Sequence, residues 1–248
     1  MALAGSPGSP PRVPSLGAVL ILALDTATPQ VVVGILEWGD SADRDLSEPV
    51  VRAASRVSSG NRHAETLGES IPAVLSQAGV GMSDFGAIVV GLGPGPFTGL
   101  RVGLMTAAAL ADALILPAYG VCTHDAIAAS YASSSLDEGF VVVTDARRRE
   151  CYWAGYDATG TRTSGPHVQR PADVRARSGW SPSGLVIGDE AFSESLGTDI
   201  VPTQPDPVGL VLAARGIGDG TAPEPLVPLY LRRPDAMPPA ARKPVTPR

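Results

Sequence analysis

The stretch that most constrains the fold of this chain runs from Ile88 to Tyr119. Ile88–Leu92 reads as a strand, Gly93–Gly99 as a glycine–proline loop, Leu100–Leu114 as a helix, and a short strand opens at Ile115. In Gly91-Leu-Gly-Pro-Gly-Pro-Phe-Thr-Gly99 the glycines tolerate positive φ and the prolines fix φ, so the backbone is able to turn sharply. Thr98 is placed as the N-cap, its hydroxyl taking an orphan N–H of the first turn. Strand, glycine loop and helix N-terminus in succession suggest an anion cradle. Pro94 and Pro96 donate no N–H, however, and the spacing G-x-x-x-x-G-K-[ST] is missing, which excludes a P-loop.

The helix adds a second constraint. From Leu100 to Ile115 only Arg101 and Asp112 carry charge, with Gly103, Ala107, Ala108 and Ala111 spread around it. A helix this apolar is buried on more than one side. Its own sheet covers one side; the other asks for a second layer or another protein.

A chain of 248 residues has room for one large or two small domains. The formal net charge of -6 argues against autonomous binding to nucleic acid or an anionic membrane, and no apolar run reads as long enough to span a bilayer. Lys243, the single lysine, lies in a proline-rich tail, which removes Schiff-base, Ser–Lys and lysine–phosphate chemistry from the folded body. Cys122 and Cys151 lack C-x-x-C spacing, and His63, His124 and His167 form no H-x-x-x-H pair. These features fit a reduced, cytoplasmic protein. Met1–Gly17, rich in Gly, Pro and Ser without a charged n-region, reads as a flexible extension and not a signal peptide.

Along the chain, Ala18–Leu24 and Gln30–Leu36 are strands joined by Asp25-Thr-Ala-Thr-Pro29, close enough for a hairpin, and Val50–Val57 is a third strand. A helix follows from about Arg62 to Ala78, capped by Asn61 or Ser59, with Leu67, Ile71, Val74, Leu75 and Ala78 as its apolar stripe and Pro72 as a kink. The order strand, strand, strand, helix, strand, helix is an α/β pattern with a mixed sheet. Beyond Tyr119, His124–Tyr131 reads as a helix, Ser133–Ser135 as a soft boundary, Phe140–Thr144 and Cys151–Tyr156 as hairpin partners, Leu185–Ile187 as a short strand, Pro207–Arg215 as a helix and Leu226–Leu231 as a last strand. Residues 157–184 are turn-rich and uninformative. The expected division is an extension at 1–17, lobes at 18–121 and 122–233, and a disordered tail at 234–248.

Strand, acidic turn, strand occurs twice, at Leu20–Leu36 and at Phe140–Tyr156. Two-lobed actin-like ATPases show such an echo, with an aspartate in each lobe facing phosphate and magnesium; Asp25 and Asp145 would be those nucleotide-binding residues. The other reading is that both aspartates end strands and cap turns, since neither turn carries the glycine that close phosphate approach needs. No G-x-S-x-G, S-x-x-K or H-E-x-x-H is present. His63 and Glu65 are two apart on a helix and do not face each other, which favours solvated helix-end residues over an acid–base pair. His124 and Asp125 suit a helix first turn. The run Arg147–Arg149 is either a solvated face or a phosphate contact.

Gly93-Pro-Gly-Pro-Phe-Thr-Gly-Leu-Arg-Val-Gly103 resembles the signature G-P-G-S-F-T-G-L-R-V-G of the TsaB family, with Pro96 in place of serine. Ile21-Leu-Ala-Leu-Asp-Thr-Ala-Thr28, His63-Ala-Glu65, Asp145-Ala-Arg147 with Glu150 and Tyr152-Trp153, and Pro228-Leu-Tyr-Leu-Arg232 are similar to its other landmarks, so the likeness spans about Val19–Asp235. The resemblance implies a two-lobed actin-like (ribonuclease H-like, ASKHA) α/β fold with mixed sheets. It implies an accessory subunit, with no catalytic residues of its own, of the paralogue TsaD, which transfers threonylcarbamoyl to the adenosine beside the anticodon of tRNA. The ATPase TsaE joins them, and a homodimer is possible. TsaD holds metal with two histidines; the matching positions here are Thr123 and Ile127, so no metal is expected on this chain. ATP, ADP and metal are expected on the partner subunits, and tRNA only through the complex. Gly93, Gly95, Thr98 and Gly99 would shape the loop. Helices 62–78 and 100–115 would form the partner interface, with Ala64, Gly68, Gly103, Ala107 and Ala111 allowing close approach. The rival readings are a weak ATPase or glycoprotease-like peptidase, or a homodimeric scaffold.

Overall fold

The near-continuous apolar run Val19–Asp25 forms strand β1, whose Ile21, Leu22, Ala23 and Leu24 are enclosed on both faces, as a central strand requires. In this computed structural model, which describes residues 18–41, 44–132, 136–177, 184–214, 216–217 and 221–232, β1 sits at the middle of a five-stranded sheet. The expected N-terminal extension, the boundary at 133–135 and the expected tail lie outside the described residues.

The turn after β1 is short, so β2 (Gln30–Ser41) returns antiparallel, and β3 (Arg44–Ser58) folds back beside it at the sheet edge. Helix α1 (His63–Ala78) then crosses the sheet, so β4 (Ala87–Gly91) is parallel to β1; helix α2 (Phe97–Leu114) makes the next crossing and leads to β5 (Ala118–Val121), parallel to β4. The order is β3-β2-β1-β4-β5. After helix α3 (Thr123–Ala132) come β6 (Phe140–Asp145), β7 (Cys151–Tyr156), β8 (Arg162–Gln169), helix α4 (Pro171–Arg175), β9 (Leu185–Gly188), the single-turn helix α5 (Ser193–Leu196), β10 (Ile200–Pro202) and helix α6 (Pro207–Ala213). This second sheet has the order β10-β9-β6-β7-β8, with β7 antiparallel to β6 and β8, and β9 parallel to β6 and β10. Strand for strand it repeats the first sheet. The echo read from two hairpins therefore extends through the whole of each lobe.

Helices separate and flank the sheets. Leu67 and Val74 of α1 and Leu100, Leu104 and Ala107 of α2 cover one face of the first sheet. Ala126 of α3 and Leu210 and Val211 of α6 cover its other face. One residue on, Ile127 and Ala128 of α3 pack against Phe140, Val142, Ala154 and Ile187 of the second sheet. Val174, Phe192 and Leu196 close that sheet's outer face. So α6, within the span 122–233 expected as the second lobe, joins the core of the first.

Several sequence expectations differ from what is found. Helix α2 starts at Phe97 with Pro96 at the N-cap position and no side-chain cap; Thr98 lies inside the first turn, exposed, so it is not the cap. Neither Asn61 nor Ser59 caps α1, which begins after Arg62; the Ser59 hydroxyl instead donates to the Pro29 carbonyl at 3.1 Å. Ile115 ends α2 in a left-handed conformation, and the next strand opens only at Ala118. The stretch 157–184 holds β8 and α4, elements hidden because an edge strand of Arg, Thr, Ser, Gly and Pro has no apolar alternation. Leu226–Leu231 is not a strand: it is a strap outside both sheets whose Leu229 N–H donates to the Leu92 carbonyl at 2.8 Å. By length and composition α2 is apolar enough to cross a membrane, contrary to the sequence expectation that no run was; its inner face is instead packed on its own sheet.

Helices α3 and α6 meet closely at Gly209, where a Cβ would lie 2.1 Å from the Ala126 carbonyl oxygen and 2.3 Å from Ser130 Oγ. Gly209→Ala must separate the two helices, and overpacking of this kind costs about 1–3 kcal/mol. A fall in the denaturation midpoint checks this; an unchanged midpoint would mean that the contact yields freely.

Candidate functional site

The residues singled out by sequence converge where the β1–β2 turn, the β4–α2 loop, the start of α3 and the β6–β7 turn meet. Asp25 ends β1 fully buried. One carboxylate oxygen accepts the Ala27 N–H at 2.6 Å and the other accepts the Thr123 hydroxyl at 2.7 Å. A Cβ on Gly91 would fall 1.8 Å from that second oxygen, so the end of β4 must be glycine for Asp25 to fit. Burial pushes the Asp25 carboxyl up from 3.8 to about 6, although the hydrogen bonds from Thr123 and Ala27 hold it down in part.

Thr26, next in sequence, reaches the opposite way. Its hydroxyl donates to the Gly99 carbonyl at 2.7 Å and accepts the Gly103 N–H at 2.9 Å, bridging a donor and an acceptor one turn apart on α2. Gly103 is required because a Cβ there would meet this hydroxyl at 2.5 Å. Gly95 presses on the turn in the same manner, its would-be Cβ 2.2 Å from the Ala27 carbonyl, and Gly93 has φ +90°. His63 Nε2 lies 3.0 Å from the Thr28 carbonyl, so this histidine ties α1 to the same turn, while Glu65 is exposed and pairs with Arg62 at 3.8 Å.

In the second lobe, Asp145 repeats the local geometry of Asp25 and accepts the Arg147 N–H at 2.7 Å. Both aspartates thus close turns onto the residue two places on, the reading that needs no nucleotide. Asp145 is partly exposed and also pairs with the Arg147 guanidinium at 3.4 Å. His124 is fully buried at the lobe junction, with Nε2 2.8 Å from Thr144 Oγ1 and Nδ1 without a protein partner. Burial, with a smaller effect from Arg162, lowers it to about 3, so it is neutral at physiological pH. Tyr152 reaches across from β7, its hydroxyl 3.4 Å from the Gly95 carbonyl. Burial holds both cysteine thiols up at about 12, which leaves them protonated and poor nucleophiles.

The residues do not fit the groups that a catalytic relative would hold. At the two positions matching the metal-binding histidines, Thr123 spends its hydroxyl on Asp25, and Ile127 is core without a donor. Among the described residues no group of three or more His, Cys, Asp or Glu side chains is placed to hold a metal. Asp25 is fully buried, with each of its oxygens already accepting one hydrogen bond, from Ala27 and from Thr123.

The five interface residues fall into two sets. Ala64 and Gly68 are exposed on α1, with open space beside Gly68. Gly103 and Ala107 are buried against the first sheet and Ala111 packs on that core, so these three do not offer a free face. The outward face of α2 includes Phe97, Arg101, Met105, Ala108, Ala109, Asp112 and Ala113, with Met105 64% and the terminal Ile115 57% exposed. The period was legible; the phase was missed because small residues occupy both faces. Thr26 was also missed, although the interior helix glycine at 103 signalled a close approach.

Among known proteins, a family model described as TsaD, tRNA N6-adenosine threonylcarbamoyltransferase, matches residues 57–202, more than half of the chain. An uncharacterized protein of Mycobacterium tuberculosis is 45% identical over 220 residues, covering 88% of this chain and 94% of its own length. The tRNA threonylcarbamoyladenosine biosynthesis protein TsaB of Escherichia coli is 28% identical, covering 86% and 94%. Among solved structures, YeaZ from Pseudomonas aeruginosa is similar with a TM-score of 0.67 and 26% identity, over 86% of this chain and 100% of its own. The likeness carries the two-lobed, actin-like arrangement of mixed sheets.

Thr26→Val keeps the shape of the side chain but leaves the Gly99 carbonyl and Gly103 N–H without their bridge, an expected loss of about 1–3 kcal/mol. Thr98→Ala, exposed and not a cap, should change stability by less than about 0.5 kcal/mol. Paired denaturation curves check both, and the reverse ranking would contradict this geometry.

Two of the buried ionisable groups, His124 and Asp25, predict opposite pH effects. His124, lowered from 6.5 to about 3, gives stability that is present above 6.5 and lost as pH falls toward 3, because the unfolded chain then binds a proton that the folded one refuses. Asp25, raised from 3.8 to about 6, gives stability present below 3.8 and lost as pH rises through about 6. Acidification should therefore favour His124→Gln over the parent by up to about 1.4 kcal/mol per pH unit, and disfavour Asp25→Asn relative to the parent over its narrower window. Urea unfolding at a series of pH values measures both differences; parallel curves would exclude the assignment.

Proposed function

Because the chain belongs to the TsaB family, we propose that it is an accessory subunit of threonylcarbamoyladenosine formation on tRNA, supporting a TsaD paralogue and not performing the transfer itself. The observation that carries this reading is the outward face of α2, exposed and mostly apolar between Arg101 and Asp112, on a helix whose inner face is already satisfied. Beside it α1 presents Ala64, Gly68 and Pro72, one turn apart and all exposed. Two helices with small outward residues let a partner's helices approach closely, and a stable contact buries about 1,200–2,000 Å² in total.

Residues that a catalytic actin-like protein would turn toward a ligand are committed here to holding the chain together. Asp25 and Thr26 bind the starts of α3 and α2, and the positions of the paralogue's metal-binding histidines hold Thr123 and Ile127. This supports placing nucleotide and metal on partner subunits, with TsaE as the ATPase of the assembly and the cytoplasm as its compartment. A second copy of the chain could occupy the same helical face when the paralogue is absent.

Met105→Arg puts a charge in the centre of the proposed contact. Burying it unpaired should cost several kcal/mol, and about each 1.4 kcal/mol weakens binding tenfold. The variant should keep the parent's circular dichroism melt and lose capture of TsaD, whereas Ala107→Arg, directed into the core, should unfold the lobe. A folded Met105→Arg variant that still captures TsaD would remove this face of α2 from the interface.

A further inference from the structure

One groove between the lobes takes no part in the site described above. Its volume is about 570 Å³. Pro49 of β3 and Val208 and Ala213 of α6 line it from the core of the first lobe, Ala129 and Ala132 line it from α3, and the β7–β8 turn lines it from the second lobe. That turn is fixed by Asp157, one oxygen of which accepts the Thr159 and Thr161 N–H groups at 2.9 Å each. The walls are therefore formed before anything enters, and they are mostly apolar.

The charged groups of the groove leave one carboxylate over. Arg162 pairs with Asp125 at 3.6 Å, and Asp125 also accepts the Tyr156 hydroxyl at 2.8 Å. Glu48, also on the wall, is exposed and has no ion-pair partner among the described residues. An apolar occupant with a single positive charge matches such a groove.

Residues 1–17, which the sequence marks as an extension, join β1 beside it. Val19 pairs with Trp38 of β2. The β2–β3 register, Glu37 with Val50 and Gly39 with Leu46, sets Trp38 against the bulge that holds Glu48 and Pro49. Two strand spacings, about 10 Å, thus separate the start of β1 from the groove. The Val19 side chain shares an apolar cluster with Val208 and Ala213, so the chain enters on the groove's side of the sheet. Seventeen residues in a polyproline conformation span about 50 Å, several times what is needed. The segment also suits the walls: Leu3, Val13 and Leu16 are apolar, four prolines stiffen it, and Arg12 is its one charged side chain. Proline-rich segments dock in apolar grooves at low cost in entropy.

We propose that residues 1–17 lie in this groove with Arg12 against Glu48, as an intramolecular tie between the core of the first lobe and the β7–β8 turn of the second. A second copy of the chain fits less well. A stable contact between folded chains buries about 1,200–2,000 Å², whereas this cavity has the volume of only a few side chains. The tie stands whichever protein docks on α2.

The groove is probed through a thiol. Cys122 and Cys151 are buried, with thiols held up at about 12 by burial, so Ala129→Cys introduces the fast-reacting one. In that background the full chain should react with a maleimide several-fold more slowly than a chain starting at Ala18. Gln77→Cys, exposed on α1 and outside the groove, should react equally in both. Arg12→Glu in the full chain should raise the rate at Ala129→Cys, and Glu48→Arg added to it should lower the rate again. Equal rates in full and shortened chains overturn the proposal, as does protection that grows with protein concentration, which would seat a second copy in the groove. If the shortened chain does not fold, the charge pair carries the test in the full chain, where equal rates for the parent and Arg12→Glu overturn it.

Discussion

Two adjacent side chains in the β1–β2 turn hold the first lobe to everything around it. Asp25 points one way and fixes the start of α3 through Thr123; Thr26 points the other and bridges two backbone groups of α2. Successive residues of a strand face opposite sides of the sheet, so one turn reaches both helical layers. The glycines at 91, 95 and 103 exist to let these side chains and the turn backbone come close. A buried carboxylate is tolerated there because each of its oxygens receives a donor.

The same interactions separate this chain from a catalytic actin-like protein. A phosphate-facing aspartate needs an open approach, and Asp25 is shut in by the α3 start and the end of β4. The duplicated lobe has diverged in the complementary direction. Its counterpart of the 18-residue α2 is α5, of 4 residues, so among the described residues the first lobe has the longer helix at this place in the repeat.

Much of this was legible in the sequence because it rests on strong periodic signals. Buried strands such as Phe140–Asp145 declare themselves by apolar runs, and the family signature at Gly93–Gly103 fixed the loop before α2. What stayed hidden depends on geometry that periodicity does not encode. β8 has no alternation to read, the strap at 221–232 uses isolated bonds, and Thr98 resembled a cap only because helix entry falls two residues earlier than supposed. On α2 the abundance of Ala and Gly concealed which side was inward, a distinction fixed by Thr26 and the sheet, not by side-chain size.

The strap has a mechanical consequence. Two lobes joined through α3 and α6 form a natural hinge, yet the last described residues cross the gap, with Leu229 bonded to Leu92 in one lobe and Arg232 paired with Glu150 in the other. Tyr152 and Gly95 make a further link over the same gap. Any rotation that widened the cleft would have to break these ties together. The chain is therefore braced as a rigid bracket, and a partner docking on it loses little conformational entropy in ordering its surface.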